Sequence, residues 1–582
     1  MFIRRMIGGL VALAAIPLGA QEATSPPTFF ESVEVDVVNI EVFVADKDGR
    51  PVHGLTKDDF ELLVDGAPQG IDYFYAESRP RAVPAPVRRG ESSAAPRVPD
   101  FQPLPEDATP PEQRLHVIFY LDNLNLRPGH RKRAVTMIRR FLDERLGPDD
   151  LVSIVSMNRT PFVHTDFTND RRLLNRILDE VDETAIKDFS GEAQLRTIYN
   201  LIAETRTSGA RRSEAQGRRE ANRGFIVADL KAYAENQYMN GRISLSGIAR
   251  IVQSLAGVPG RKALVHVSSG IETRPGEAAY IDFSRNSAGI FEGSLFSYER
   301  DIGHFDLMDE FQELGKLTNA GRVTYYAVDA DPNHRSLALS AEMQGSLDGG
   351  TVPVFAQSVE ESNLREPIEL AAKLSGGKRI QLTTTRGDEL NPVLDDFDSF
   401  YSLGFSTEPG AAVQTFRIQV QVKPRGLLVR HRESFTNKPR DTKSVETTRA
   451  ALLFNSVANP LGLSVELGSA VDRKDGNRVL PVLVKIPLEG LVLLPKGEVA
   501  GAQLTLFVST WGADGDLRPI QKIPFHLAIP NDKLEGLSGE SAAYELPLVV
   551  RDGDLRAAIT VRDDNGVNES VLTVDLARHA KG

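Results

Sequence analysis

The sequence predicts a multidomain chain, with an N-terminal small β domain, a central α/β domain of the doubly wound, Rossmann-like kind, and a C-terminal antiparallel β-sandwich. Three observations carry that expectation. The chain has 582 residues, far more than the roughly 100 to 200 that one core organises. Between Leu115 and Val328, unbroken apolar runs alternate with helical patterns, as parallel sheets require. After residue 453, short apolar runs recur with turn residues between them and no helical period.

The elements follow in order. Arg4 and Arg5 precede an apolar run from Met6 to Ile16, and Gly19-Ala20 stands before Gln21. That is the three-part form of a secretory signal over residues 1–20. The apolar run is shorter than the roughly 20 residues a membrane-spanning helix needs, and no other stretch is long and apolar enough. The expected location is periplasmic or extracellular. Residues 21–78 read as the small β domain. Val33, Val35 and Val37, then Ile40, Val42 and Val44, alternate with a period of two. Gly49 and Asp65-Gly66 mark turns. Residues 79–114 carry nine prolines among Ala, Arg and Ser and read as a linker.

The central domain is expected over residues 115–436. Leu115–Leu121 is an apolar strand ending at Asp122, and a helix through Ala134, Ile138, Phe141 and Leu142 stops at Gly147-Pro148. Strands follow at Leu151–Met157, near Pro161–His164, at Lys262–Val267 and at Val323–Val328, with helices over 170–181, 245–255 and 307–317 between them. Such a sheet binds ligands at the carboxyl ends of its strands. Three insertions interrupt the pattern: 182–240, mostly helical, and 271–304 and 329–365, both loop-like. The arginines at 211, 212, 218 and 219 alternate with acidic residues and read as a solvated helix face. Residues 437–452 read as a second linker and 453–582 as the β-sandwich, where Trp511, the single tryptophan, is expected over a sheet end.

Several segments, in order, resemble the von Willebrand factor type A-related proteins of the acidobacterial type. They are Val44–Gly49, Leu55–Phe60 and Asp65-Gly66; Pro259–Val265; Leu370–Gly377; Tyr401–Phe405; and Val429–Phe435. The resemblance spans about residues 33–435. It implies export, a type A fold and an interaction role through the top face of the central domain.

Metal-binding relatives of that family carry Asp-x-Ser-x-Ser after the first strand, a Thr from a second loop and an Asp from a third. Here the first loop reads Asp122-Asn123-Leu124-Asn125-Leu126, and Ser268-Ser269-Gly270 stands where Thr-Asp-Gly is usual. Asp122, Asn125 and Ser269 remain as candidate metal ligands, with Ser244 or Ser246 as a substitute for the Thr. One carboxylate among neutral oxygens is a poor match for Mg²⁺ or Ca²⁺, so no cofactor is expected.

Charge and composition exclude other classes. Acidic residues outnumber basic ones by 80 to 68, which disfavours nucleic acid as a partner. The absence of cysteine removes disulfides, thiolate zinc sites and cysteine nucleophiles. Ser268, after a strand, invites comparison with a nucleophile elbow, but His266 occupies the place that a tight elbow reserves for Gly. The reading that results is an exported, non-catalytic protein-interaction or scaffold protein that works without metal. The alternative is a secreted serine hydrolase using Ser268.

Overall fold

The computed structural model describes residues 36–78, 114–126, 128–144, 146–184, 191–207, 212–287, 299–331, 354–382, 390–408, 410–473, 477–536 and 539–576. The expected signal, nearly all of the linker 79–114 and the side chains of the arginine cluster lie outside them. The chain divides into two compact units, Val37–Phe405 with Val413–Asn437, and a unit containing Lys438–Gly582.

Within the first unit, the N-terminal strands are β1 (Asp36–Ala45), β2 (Phe60–Val64), β3 (Ala67–Gln69) and β4 (Tyr73–Ser78). Asp65 and Gly66, at φ 50° and 82°, make the two-residue hairpin between β2 and β3, where Val64 pairs with Ala67. These strands do not close a sheet among themselves. They pair with β11 (Ser399–Thr407), β12 (Gln414–Val422), β13 (Leu428–His431) and β14 (Ser434–Asn437), giving sheets of order β13-β1-β11-β4 and β14-β12-β2-β3. Their shared core includes Ile40, Val42, Leu62, Leu403 and Val420.

The α/β domain enters between β4 and β11. Its strands β5 (Leu115–Asp122), β6 (Leu151–Met157), β7 (Pro161–Val163), β8 (Arg261–Ser268), β9 (Val323–Asp329) and β10 (Arg379–Gln381) form one sheet of order β10-β9-β8-β5-β6-β7. All neighbours are parallel except β7, which runs antiparallel to β6. Every residue of β5 and of β8 is buried, because helices cover both faces. Helix α1 (Pro128–Glu144) and helix α2 (Arg171–Glu183) follow β5 and β7. The start of α2 is explained locally: the Asp170 carboxylate accepts from the Arg172 and Leu173 amides. Leu174, Ile177, Leu178 and Val181 then give it a buried stripe at helical spacing. The chain winds outward from β5 to β6, then returns to β8 on the other side of β5, so the topological switch lies between β5 and β8.

The insertions build structure of their own. Helix α3 (Glu192–Thr207) is followed by α4 (Arg212–Leu255), 44 residues in one helix that joins the helical insertion expected over 182–240 to the helix expected over 245–255. Helix α5 (Glu277–Ser287) and the first half of α7 (Val354–Leu374) fall in segments expected to be loops. Ile198, Ile202, Ile226, Leu230, Tyr233, Tyr280 and Phe283 form a second core among these helices, and its burial is what makes the insertions helical. Between α5 and α7, helix α6 (Met308–Gly321) returns to the sheet and ends at Arg322, which takes the left-handed conformation. After α7, Gly376 and Gly377 allow close backbone approach: a Cβ on Gly377 would lie 1.9 Å from the Tyr325 carbonyl oxygen. Helix α8 (Asn391–Asp398) leads into β11.

The second unit opens with helix α9 (Arg440–Phe454), where a linker over 437–452 was expected. Ala450 to Phe454 are all buried, and Thr448 Oγ1 lies 2.7 Å from Thr560 Oγ1. The helix is therefore part of the domain's packing. Two antiparallel sheets follow, one with β15 (Ser464–Leu467), β16 (Val471–Asp472), β17 (Arg478–Pro487) and β21 (Ser541–Val550). The other holds β18 (Leu494–Lys496), β19 (Val499–Gly512), β20 (Gln521–Pro530), β22 (Asp554–Asp563) and β23 (Glu569–Asp575). Their inward alternation, such as Leu480, Val482, Val484 and Ile486 on β17, fills a common core. Trp511 stands at the end of β19, beside a register shift.

Candidate functional site at the carboxyl ends of the central strands

The switch point places the ends of β5 and β8 side by side, the position where open α/β sheets hold ligands. Asp122 ends β5 and is fully buried. Its carboxylate is surrounded by the chain's own donors. Oδ1 accepts from the Leu124 amide at 3.2 Å. Oδ2 accepts from Asn125 Nδ2 at 2.8 Å and from Ser244 Oγ at 2.5 Å, and His266 Nε2 lies 3.4 Å away.

Ser244 reaches the site from α4, so the second-loop hydroxyl named from sequence is present, and it bonds directly to the carboxylate. Leu124 and Leu126, which stand where hydroxyl ligands would be, are each 3% exposed. Leu126 belongs to the core beneath α1. Burying such a side chain contributes roughly 1.5–3 kcal/mol, so this loop is held down by packing. Asn125 turns its amide nitrogen, a donor, toward Asp122. Ser269 points elsewhere: its Oγ lies 2.9 Å from His130 Nδ1, and its amide donates to the Asn125 carbonyl at 2.7 Å. Those two contacts tie the β5 and β8 loops together across the switch point. Asp122, Asn125 and Ser269 thus sit close in space, with the Asn125 amide nitrogen on Asp122 and the Ser269 hydroxyl beside His130. Among the described residues no group of three or more His, Asp or Glu side chains is arranged to hold a metal ion.

Behind Asp122 runs a buried polar chain. His266 Nδ1 is 2.6 Å from Tyr325 Oη, and both residues are fully buried. Burial, then the Asp122 charge, raises the pKa of the Tyr325 hydroxyl, so it keeps its proton. Nδ1 thus shares a hydrogen bond with the neutral Tyr325 hydroxyl, and Nε2 faces the Asp122 carboxylate. Tyr120 packs edge-on to the imidazole at 5.6 Å. Sequence reading named His266 only as an obstacle to an elbow. Its role was hidden because nothing along the chain links positions 122, 266 and 325. They meet through the strand order β9-β8-β5.

Ser268 has no base. Its Oγ accepts from the Gly270 amide at 3.2 Å, and both His266 nitrogens are directed to other partners.

No protein-family model matches the chain, and no curated protein matches it. Among solved structures, the chain is similar to an aerotolerance-related membrane protein from Bacteroides fragilis that carries multiple mutations to serine. The identity is 12% and the TM-score 0.20, over 48% of this chain and 98% of that one. A superposition at that score carries no argument about fold or function. Among the described residues no helix is long and apolar enough to cross a membrane.

Proposed function

We propose that this is an exported, non-catalytic protein-interaction or scaffold protein of the von Willebrand factor A-like kind, acting without a metal ion through the helical lobe above its central strands. The observation that carries the reading is the Asp122 carboxylate, buried and bonded by Leu124, Asn125 and Ser244. A metal-dependent site needs that carboxylate open to a cation and a ligand. Here its lone pairs are spent on holding β5, the following loop and α4 together.

The lobe offers a surface instead. From Ser244, which marks the sheet end, the N-terminal part of α4 extends into the insertion core. Phe225 is 68% exposed and Met239 48% exposed, and their 14-residue spacing returns to nearly the same helix face. Exposed Ala228 and Ala232 lie on the same stripe. An exposed aromatic and a Met on one face suit a protein partner.

The test is chemical cross-linking of the mature protein in the envelope fraction, in EDTA and in Mg²⁺. The reading expects the same partner in both conditions, and its loss in Phe225→Ser with Met239→Ser. A hydrolase would instead be labelled by a fluorophosphonate probe in a manner abolished by Ser268→Ala.

A further inference from the structure

At the opposite end of the central sheet lies a cleft of about 820 Å³. It sits where the amino ends of β5, β8 and β9 face the sheet carrying β1, β4 and β11, all within the first unit. The volume is that of a small-molecule site. We propose that this cleft binds a small organic carboxylate with a flat apolar body, its charge held by Arg432 and Arg322 and its body by Tyr73 and Tyr75.

Arg432 is 8% exposed, and its Nε is buried with no hydrogen-bond partner. Its Nη2 donates to the Asn39 carbonyl at 2.9 Å, which anchors the group without neutralising it. Among the described residues no carboxylate lies within ion-pair distance of Arg432. Burial first, then the like charge of Arg322, lowers the pKa of the guanidinium, with Glu41 opposing only in part. Glu41 itself faces Arg261, at 3.4 Å from Nε. Arg261 is otherwise committed to the Phe397 and Asp396 carbonyls and to the face of Phe400. Arg322 is exposed and makes no ion pair among the described residues, and it occupies a left-handed helix cap at φ 55°, where glycine is the ordinary residue. Arg432 and Arg322, neither ion-paired among the described residues, thus both line the cleft, while Glu41 is engaged by Arg261. An unpaired buried charge is costly, and a bound carboxylate removes that cost with charge-assisted, forked hydrogen bonds.

The rest of the lining sets the ligand's character. Tyr73 and Tyr75 are 56% and 39% exposed on β4, an edge strand of its sheet, and aromatic faces there suit a flat apolar body. Glu41, Glu77, Asp149, Asp150 and Asp398 also line the cleft and outnumber its arginines, so a polyanion is repelled and only an anion seated at Arg432 and Arg322 with a single carboxylate is accommodated.

The experiment titrates the full mature chain with phenylacetate, observed by ligand-detected NMR and calorimetry. Benzyl alcohol serves as the neutral analogue and inorganic phosphate as a competitor. Saturable phenylacetate binding is expected, weakened about tenfold or more by Arg322→Gln and by Arg432→Gln, the loss of one charged hydrogen bond. Tyr73→Ala should also weaken it, and phosphate should not compete. Arg322 is on the surface, so its variant reports even if Arg432→Gln folds poorly. The proposal is overturned if the folded chain shows no saturable binding, if benzyl alcohol binds equally well, if phosphate displaces the probe, or if Arg322→Gln binds as the parent does.

Discussion

Replacing Asp122 by Ala is the sharpest probe of the strand-end network. The substitution removes the acceptor for the Leu124 amide and for Ser244 Oγ, on residues 3% and 0% exposed, and for the half-buried Asn125. It also takes away the group facing Nε2 of His266, which is fully buried. Each stranded buried donor costs about 1–3 kcal/mol. Removing the buried carboxylate relieves part of that by ending its desolvation. The net expectation is about 3–5 kcal/mol, the range seen when one member of a buried charged network is deleted. Two units unfold separately in principle, so the assay must be local: hydrogen exchange of β5 and β8 in urea. Trp511, the single tryptophan, lies in the other unit and its fluorescence is the internal control. Exchange in β5 and β8 should accelerate while the Trp511 transition stays put, equally with and without Mg²⁺. A loss of less than about 0.5 kcal/mol, the scale of an ordinary surface substitution, would refute the reasoning. So would a loss seen only when Mg²⁺ is present.

Three further outcomes follow from the same geometry. Tyr325→Phe should cost about 1–3 kcal/mol in the same assay, because His266 Nδ1 loses its hydrogen-bond partner in a buried site. Gly377→Ala should abolish folding of the central unit as judged by proteolysis, since the added Cβ would overlap the Tyr325 carbonyl. Glu272 belongs to the lobe, where its carboxyl is enclosed although the residue as a whole is half-buried. Burial, then the Glu360 charge, raises its pKa to about 7. The folded state therefore holds the proton more tightly than the unfolded chain, and the lobe loses stability as pH rises from about 4.5 to about 7. Glu272→Gln should flatten that dependence in thermal melts across the interval, and an unchanged slope would show that the titration lies elsewhere.

Much of this was legible along the chain because it is local. The unbroken apolar runs of β5, β6, β8 and β9 require a sheet covered on both faces, and Asp65-Gly66 forms a hairpin wherever it falls. The long-range pairings were not legible. Strand β1 pairs β13 with Val44 opposite Val429, and β2 pairs β12 with Leu62 opposite Val420. No sequence period shows that a domain is inserted between such partners. The insertions misled for a related reason. Ala278, Ala279, Tyr280 and Phe283 form a helical face only because α3 and α4 supply a core for it. In α7, Pro367 inside the helix argues locally against helix. At the site, the departure of Leu124, Leu126 and Ser269 from the metal-binding pattern of the proteins the sequence resembles was read directly. Of the groups around Asp122, the sequence offered Ser244 beside Ser246 without deciding between them, and the place of His266 required the fold. Arg432 gave no signal at all, since a lone arginine between two strands looks like any surface charge until its burial is known.

The central claim, that the strand ends hold a self-satisfied polar network in place of a metal, is tested most directly by anomalous diffraction from crystals soaked in Mn²⁺. The account predicts no anomalous peak within bonding distance of the Asp122 carboxylate, with Ser244 Oγ and Asn125 Nδ2 still bonded to it. A peak coordinated by Asp122, with Ser244 or Ser269 turned toward the ion, would contradict it.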